Sequence, residues 1–248
     1  MQLYFIRHAQ STNNELWART TSSKGRVEDP PLTAIGRQQA ALLAQYLAQP
    51  HLMSEDLTAD FQNHTGFGIT HLYCSLMMRA LETGTAVAQA LNLPLVARDD
   101  IHELGGIWLE DEASGERMGL PGNGRSQLLN QFPHITLPDT IDEEGWWRRP
   151  HEEADEALGR AQSAYEALLA RHGDTEDRVA IISHGGFFQR FTAVALDLPP
   201  SRTVSGQPGR RRFGINNVAI TRFSFNGADV DLVYLNRVDF LPPELVTY

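Results

Sequence analysis

The chain has 248 residues, 42% hydrophobic and 21% charged, with a formal net charge of −10 and a single cysteine, Cys74. That length can bury the core of one sizeable domain or two small ones; the acidic balance excludes nucleic acid and anionic membrane as general partners, and the lone cysteine excludes an intrachain disulfide. The N-terminal MQLYFIRH lacks a signal peptide's basic n-region, and no apolar stretch reaches the roughly 20 residues of a membrane span, so a cytoplasmic protein is expected.

QLYFI (2–6) reads as a buried strand that ends on Arg7 and His8, an adjacent guanidinium and imidazole that no turn requires. A polar loop then runs to DPPLT, where Thr33 fits an N-cap, and AIGRQQAALLAQYLAQ carries helical periodicity. GITHLYCS (68–75) reads as a second strand, RALETGTAVAQALN (79–92) as a helix ending before Pro94, and PLVAR as a short third strand. Residues 152–172 form a long amphipathic helix, RVAIIS (178–183) a Val/Ile-rich strand, and GGFFQRFTAVALDL a helix that opens on two glycines. NNVAITRFSF and VDLVYL, separated by NGAD, read as a terminal β-hairpin.

This alternation predicts an α/β fold, three layers α/β/α around a mainly parallel central sheet, closed by the C-terminal hairpin. Residues 104–150 interrupt it with scattered glycines and prolines and weak periodicity. A loop that long in a compact domain is functional or disordered. Trp108, Trp146 and Trp147 favour order, so the chain reads as one domain, 1–248, with 104–150 as an insertion capping the site.

In open parallel sheets, ligands bind beyond the carboxyl ends of the strands. Four chemically loaded stretches fall there: Arg7-His8; SLMMRALET with Arg79; DDIHELGG with His102 and Glu103; and SHGGFF, where His184 precedes Gly185 and Gly186. Each alone has an ordinary reading, as a structural histidine, a surface arginine, a solvated acid or a tight turn. Their coincidence at one edge of one sheet is what points to a site. Two converging arginines suit a phosphate or carboxylate, whose oxygens match the guanidinium fork. The helix start after His184 adds backbone N–H donors, and its glycines permit close approach. Of two histidines flanking a phosphate, one neutral imidazole attacks phosphorus while its other nitrogen donates to a backbone carbonyl; the second, charged or donating, stabilises the phosphoryl group in transfer. Glu103 is the candidate acid for the leaving oxygen, with Asp99, Asp100 and Glu110 as nearby rivals.

Arg7-His8-Ala9, followed by Ser11 and Asn14, resembles the RHG signature of the histidine phosphatase (phosphoglycerate mutase-like) superfamily. DPPLTAIGRQQA resembles that family's D-x-PLT-x-x-G-x-x-QA segment, SLMMRALETG its S-x-x-x-R-A-x-x-T helix start, and SHGG its second catalytic histidine. The four occur in order, and the resemblance spans residues 1 to about 106 and 152–190. It implies that His8 becomes the phosphohistidine, that Arg7, Arg79 and His184 bind the phosphoryl group, that Asn14 lines the same pocket, and that Glu103 is the proton donor. Ser11 and Gly185 complete the expected substrate contacts, and no metal or other cofactor is expected. Ala9 stands where the signature has Gly, which calls for a slight backbone adjustment.

The family's mutases share ERHYG and LNK elements after the catalytic Glu, whereas this chain has HELGGIWLEDEASGERMG there. A hydrolase acting on a small-molecule phosphomonoester is therefore expected, with a phosphoglycerate mutase-type phosphotransferase as the alternative. Arg117, Arg125, Arg148, Arg149 and the GRRRFG run (209–214) are candidates for binding a second anionic group but read mainly as surface arginines. Two readings of other classes remain. His8, His102, Glu103 and His184 could ligate a metal in a metal-dependent hydrolase, although Arg7 and Arg79 would repel the cation; or the pocket could serve a non-catalytic phosphate-binding protein.

Overall fold

Side chains along a strand alternate between faces, so strands that are apolar on both need cover on both. The computed structural model describes residues 1–50, 60–198 and 212–248, with the backbone of 203–204 and 207–208. The elements in order are β1 (Gln2–Arg7), α1 (Thr12–Thr20), α2 (Ala34–Leu47), β2 (His71–Ser75), α3 (Met78–Leu91), β3 (Leu95–Arg98), β4 (Trp108–Glu110), β5 (Arg117–Gly119), α4 (Arg125–Gln131) and β6 (Ile135–Thr136). They continue with α5 (Ala154–His172), β7 (Arg178–Ser183), α6 (Gly185–Ala195), the short pair β8 (Thr203–Val204) and β9 (Gln207–Pro208), and β10 (Ile220–Asn226) and β11 (Asp229–Arg237).

One seven-stranded sheet runs β11-β10-β1-β7-β2-β3-β6. β1, β7, β2, β3 and β6 pair in parallel, while β10 joins β1 antiparallel and β11 follows as its hairpin partner. The alternation expected of two covered faces is present residue by residue. Tyr4 and Ile6 of β1, with Leu72 and Cys74 of β2 and Ala180 and Ile182 of β7, pack in one core with Leu43 and Leu47 of α2 and Leu81 and Val87 of α3. Leu3, Phe5, Tyr73, Val179 and Ile181 face the other way, onto Ala161 and Leu168 of α5 and Phe187 and Phe191 of α6. The chain is therefore the three-layer α/β/α fold with a mainly parallel sheet and a C-terminal antiparallel hairpin. No helix among the described residues is long and apolar enough to cross a membrane.

The insertion divides into two parts. β4 and β5 form a separate antiparallel hairpin. α4 and β6 instead extend the main body: β6 pairs in parallel with β3 as the last strand of the sheet, and Leu128, Phe132, Ile135, Leu137 and Ile141 join the α2/α3 core. A two-residue strand carries no readable alternation, which is why its sequence reads as loop. The polar loop after β1 likewise contains a helix. α1 has no buried residue, so it lacks the apolar stripe that marks a helix in sequence. Ser11 starts it through a reciprocal cap with Asn14. The GRRRFG run lies outside the described residues as far as residue 211.

Candidate active site

β1 and β7 lie in register with Arg7 opposite Ser183, so His8 and His184 leave the sheet side by side, their rings 5.1 Å apart. The next strand, β2, delivers Arg79 in the first turn of α3, and the segment after β3 delivers Glu103. Arg7, His8, Ser11, Asn14, Arg79 and Glu103 line one cavity of about 260 Å³.

Arginine has no acceptor, so the bond from Arg79 Nε–H to His8 Nε2 (3.1 Å) makes Nε2 the lone-pair nitrogen. Nδ1 then carries the proton and donates to the Ala9 carbonyl at 2.7 Å. Burial, with the charges of Arg79 and Arg7, holds the His8 pKa well below 6.5, so the ring is neutral. His184 is held well below 6.5 by burial, Arg79 and His8. It is therefore neutral beside the neutral His8 ring. Neither of its buried ring nitrogens has a hydrogen-bond partner, and neither does Arg7 Nε. An unmet buried polar group costs about 1–3 kcal/mol. Arg7 lines the cavity; the fully buried His184 does not, and reaches the site only through its place beside the His8 ring.

The helix start after His184 is already occupied. Glu103 accepts hydrogen bonds from the N–H groups of Gly186 (3.0 Å) and Phe187 (3.0 Å), and from Leu104 N–H (2.8 Å). Two donors that the sequence reading offered to a phosphate thus hold a carboxylate instead. A Cβ on Gly186 would stand 2.4 Å from Glu103 Oε1, so this glycine is needed for the carboxylate's approach. A Cβ on Gly185 would meet the Arg7 side chain at ordinary contact distances, the nearest being Nε at 3.5 Å. Of the rival acids, Asp100 is paired with Arg98, and Glu110 lies by Arg117 on the β4–β5 hairpin; neither they nor Asp99 line this cavity.

The supports come from residues far apart in sequence. Thr83 Oγ1 accepts from Ala9 N–H (3.1 Å) and donates to the Arg79 carbonyl (2.7 Å), tying the His8 loop to α3. The fully buried Asn217 donates to the His8 carbonyl (3.1 Å) and to Asn14 Oδ1 (3.3 Å). Asp29 accepts from Met78 N–H at 3.0 Å and stands 3.8 Å from Arg79. Burial pushes its carboxyl up to about 6 against the pull of Arg79. Arg160 grips Glu152 with two bonds of 2.6 Å and donates to the Asp100 and His102 carbonyls, which pins the segment carrying Glu103. Thr83 and Asp29 are the closing Thr of SLMMRALET and the opening Asp of DPPLT, whose positions in sequence assign them no role; Asn217, Arg160 and Glu152 sit in no motif, and only the three-dimensional contacts single them out.

His102 faces away from the cavity, onto Trp147 and toward Glu152 at 3.5 Å. Among the described residues, the group close enough to share a metal ion is His71, His172 and Asp177, not the set around His8. That group lies at the opposite edge of the sheet, where Tyr73 and Asp177 already bond both ring nitrogens of His172. Arg125 donates to main-chain carbonyls, Arg148 pairs with Asp142 and Glu144, and Arg149 stacks on Trp147.

The family model of the histidine phosphatase superfamily (branch 1) matches residues 3–238. A probable phosphoglycerate mutase GpmB of Yersinia pestis is 27% identical over 173 residues, 70% of each chain. Among solved structures, a mycobacterial glucosyl-3-phosphoglycerate phosphatase superposes with a TM-score of 0.56 at 17% identity, covering 96% of this chain and 99% of its own. Phosphoserine phosphatase from Entamoeba histolytica gives 0.57 at 18%, over 97% and 99%. An ecdysone phosphate phosphatase from Bombix mori gives 0.59 at 16%, over 98% and 93%. At these identities the structural likeness is one of fold.

Proposed function

The chain belongs to the histidine phosphatase superfamily, and from that premise we propose that it hydrolyses small-molecule phosphomonoesters through a phosphohistidine on His8. The observation that carries this reading is the neutral, cavity-lining His8, whose Nε2 carries the lone pair and accepts from Arg79, beside unpartnered polar nitrogens on Arg7 and His184. Nε2 attacks phosphorus, and the bond to the ester oxygen breaks as that oxygen takes a proton from Glu103. Arg7, Arg79 and His184 hold the phosphoryl oxygens, Asn14, Ser11 and Gly185 shape the same pocket, and Arg79 gives up its bond to Nε2 as the phosphoryl group arrives. Water then attacks the phosphohistidine, returning its proton to Glu103 and releasing phosphate. No metal enters this scheme. The whole chain acts as one cytoplasmic domain, with residues 104–150 contributing to substrate choice.

Rapid acid-free quenching with labelled substrate should trap an acid-labile, alkali-stable phosphoryl group on the wild type and none on His8→Ala. Label retained by His8→Ala would move the nucleophile, with His184 the first suspect. A second reading, phosphoglycerate mutase activity, is favoured by the 27%-identical relative of that name. The absence of the ERHYG and LNK elements favours hydrolysis. Following phosphoglycerate by phosphorus NMR separates them: isomerisation outpacing release of inorganic phosphate would establish the mutase.

A further inference from the structure

The cavity that holds His8 extends beyond the phosphoryl site. Its outer wall includes Trp17, Arg26 and Trp108. A second cavity of about 470 Å³ adjoins it between residues 22–26 and the β4–β5 hairpin, and shares Ser22, Ser23 and Arg26 as lining. Arg26 thus stands where the two spaces meet.

Its guanidinium lies over the Trp108 indole, with Cζ 3.6 Å from the ring centre, a cation–π contact that anchors the side chain there. Among the described residues it donates no side-chain hydrogen bond and has no carboxylate within ion-pair distance. The contrast with its neighbours is sharp: Arg7 is bonded to the Ile215 carbonyl, Arg79 to His8, and Arg117 is paired with Glu110. Partial burial, with the like charges of Arg79 and Arg117 against a weaker pull from Glu110, lowers the Arg26 pKa to about 10, which leaves it cationic at neutral pH. Glu110 and Glu112 line the outer cavity, but among the described residues no carboxylate bonds Arg26, and a partly desolvated cation without a bonded partner is an unfavourable arrangement that an incoming anion on the His8 side relieves. Trp108 and Trp17 supply apolar surface alongside for the carbon chain that links two anionic groups.

We propose that Arg26, held on Trp108, binds a second anionic group of the substrate, so that the phosphomonoester taken by this enzyme carries a carboxylate or a further phosphoryl group on a short organic chain. This rests on the phosphoryl site around His8 proposed above and adds to it the class of molecule admitted. Arg26 is then a specificity residue rather than a catalytic one.

Non-hydrolysable phosphonates test the inference without turnover. Calorimetry should compare propylphosphonate, 2-carboxyethyl- and 3-carboxypropylphosphonate, and propane-1,3-bisphosphonate on the wild type, Arg26→Met and Arg26→Lys. At least one doubly anionic ligand should bind the wild type about ten- to a hundredfold more tightly than propylphosphonate, the worth of a charge-assisted hydrogen bond. The carboxylates and the bisphosphonate show which anion it is. Arg26→Met, which still covers the indole, should abolish this preference and leave propylphosphonate affinity within about twofold. Arg26→Lys should retain part of it. No preference in the wild type, or a preference that survives Arg26→Met, overturns the inference. Failure of the hydrolase reading looks different: selective phosphonate binding with no label on His8 and no release of phosphate from the matching esters. Absence of any phosphonate binding would remove the phosphoryl site and this subsite together.

Discussion

His8 and Glu103 face one cavity, but different bonds hold them: an arginine N–H and a backbone carbonyl for the imidazole, and three backbone N–H groups for the carboxylate. The second arrangement makes Glu103→Gln a double perturbation. An amide presents one oxygen and one NH2, so one of the main-chain donors now faces another donor, at about 1–3 kcal/mol for the unmet bond. Misplacement of that kind slows every substrate alike. Loss of the proton does not, because an alkyl alkoxide needs it and p-nitrophenolate leaves without it. General acid catalysis is worth about a hundred- to ten-thousandfold, so Glu103→Gln should lose most of that on an alkyl phosphate and far less on p-nitrophenyl phosphate. Equal losses in kcat on both substrates would leave Glu103 as a positioning residue only. Arg7, His8, Arg79 and His184 are legible in the sequence because each ends a strand or opens the helix after it, and Glu103 because it lies in the loop beyond β3, where a parallel sheet gathers its ligands. The roles of Thr83 and Asp29 are not legible even though both residues close or open a sequence motif, and those of Asn217 and Arg26 are not legible at all. They arise from contacts with distant segments: Ala9 for Thr83, Met78 and Arg79 for Asp29, the His8 carbonyl for Asn217, and an indole on a separate hairpin for Arg26.

At the scale of elements, the first turn of α6 shows how one reading of a motif divides into two. In sequence, Gly185 and Gly186 look like a pair that lets main chain approach a ligand. In the fold, Gly186 makes room for Glu103, and only Gly185 faces space that no protein atom crowds. Gly186→Ala places a Cβ 2.4 Å from Glu103 Oε1 and 2.9 Å from Leu104, so the carboxylate must leave the helix end. The variant should reproduce the substrate-dependent loss of Glu103→Gln while still forming the phosphohistidine on an activated ester. Gly185→Ala adds a methyl at van der Waals distance from Arg7 and should act on KM instead. Steady-state kinetics of both variants on the two esters check this; identical effects from the two would mean that the glycines share one role. The longer elements were readable because their periodicity is strong: β7 falls on residues 178–183 as read, and α2 begins after its Thr33 cap as read. α1 and β6 were not, one for want of an apolar face and the other for want of length.

The whole molecule sets charged and ionisable groups inside a core that cannot solvate them, and the result is a particular response to acid. His8 and His184, both fully desolvated, stay neutral in the fold to well below 6.5, while the unfolded chain protonates near that value. As pH falls below about 6.5 the unfolded state binds protons that the folded state does not, so these histidines remove stability on acidification. His102, its pKa also lowered by burial, acts in the same direction. Asp29 acts against them. Its carboxyl titrates at about 6 in the fold and at 3.8 in the unfolded chain, so between those values the folded state holds the extra proton. Its contribution grows as pH falls through that window, by up to about 1.4 kcal/mol per pH unit, and amounts to a penalty of about 3 kcal/mol for an ionised Asp29 at neutral pH. Asp29→Asn can retain the bond from Met78 N–H through its side-chain oxygen and abolishes the titration. It should be at least as stable as the wild type at pH 8, yet lose stability on acidification from pH 6 to 4 more steeply, by up to that same increment. Denaturant unfolding in a non-phosphate buffer at half-unit pH steps measures both slopes. Parallel curves for wild type and Asp29→Asn would mean that Asp29 is ionised throughout and serves simply as the counter-ion of Arg79.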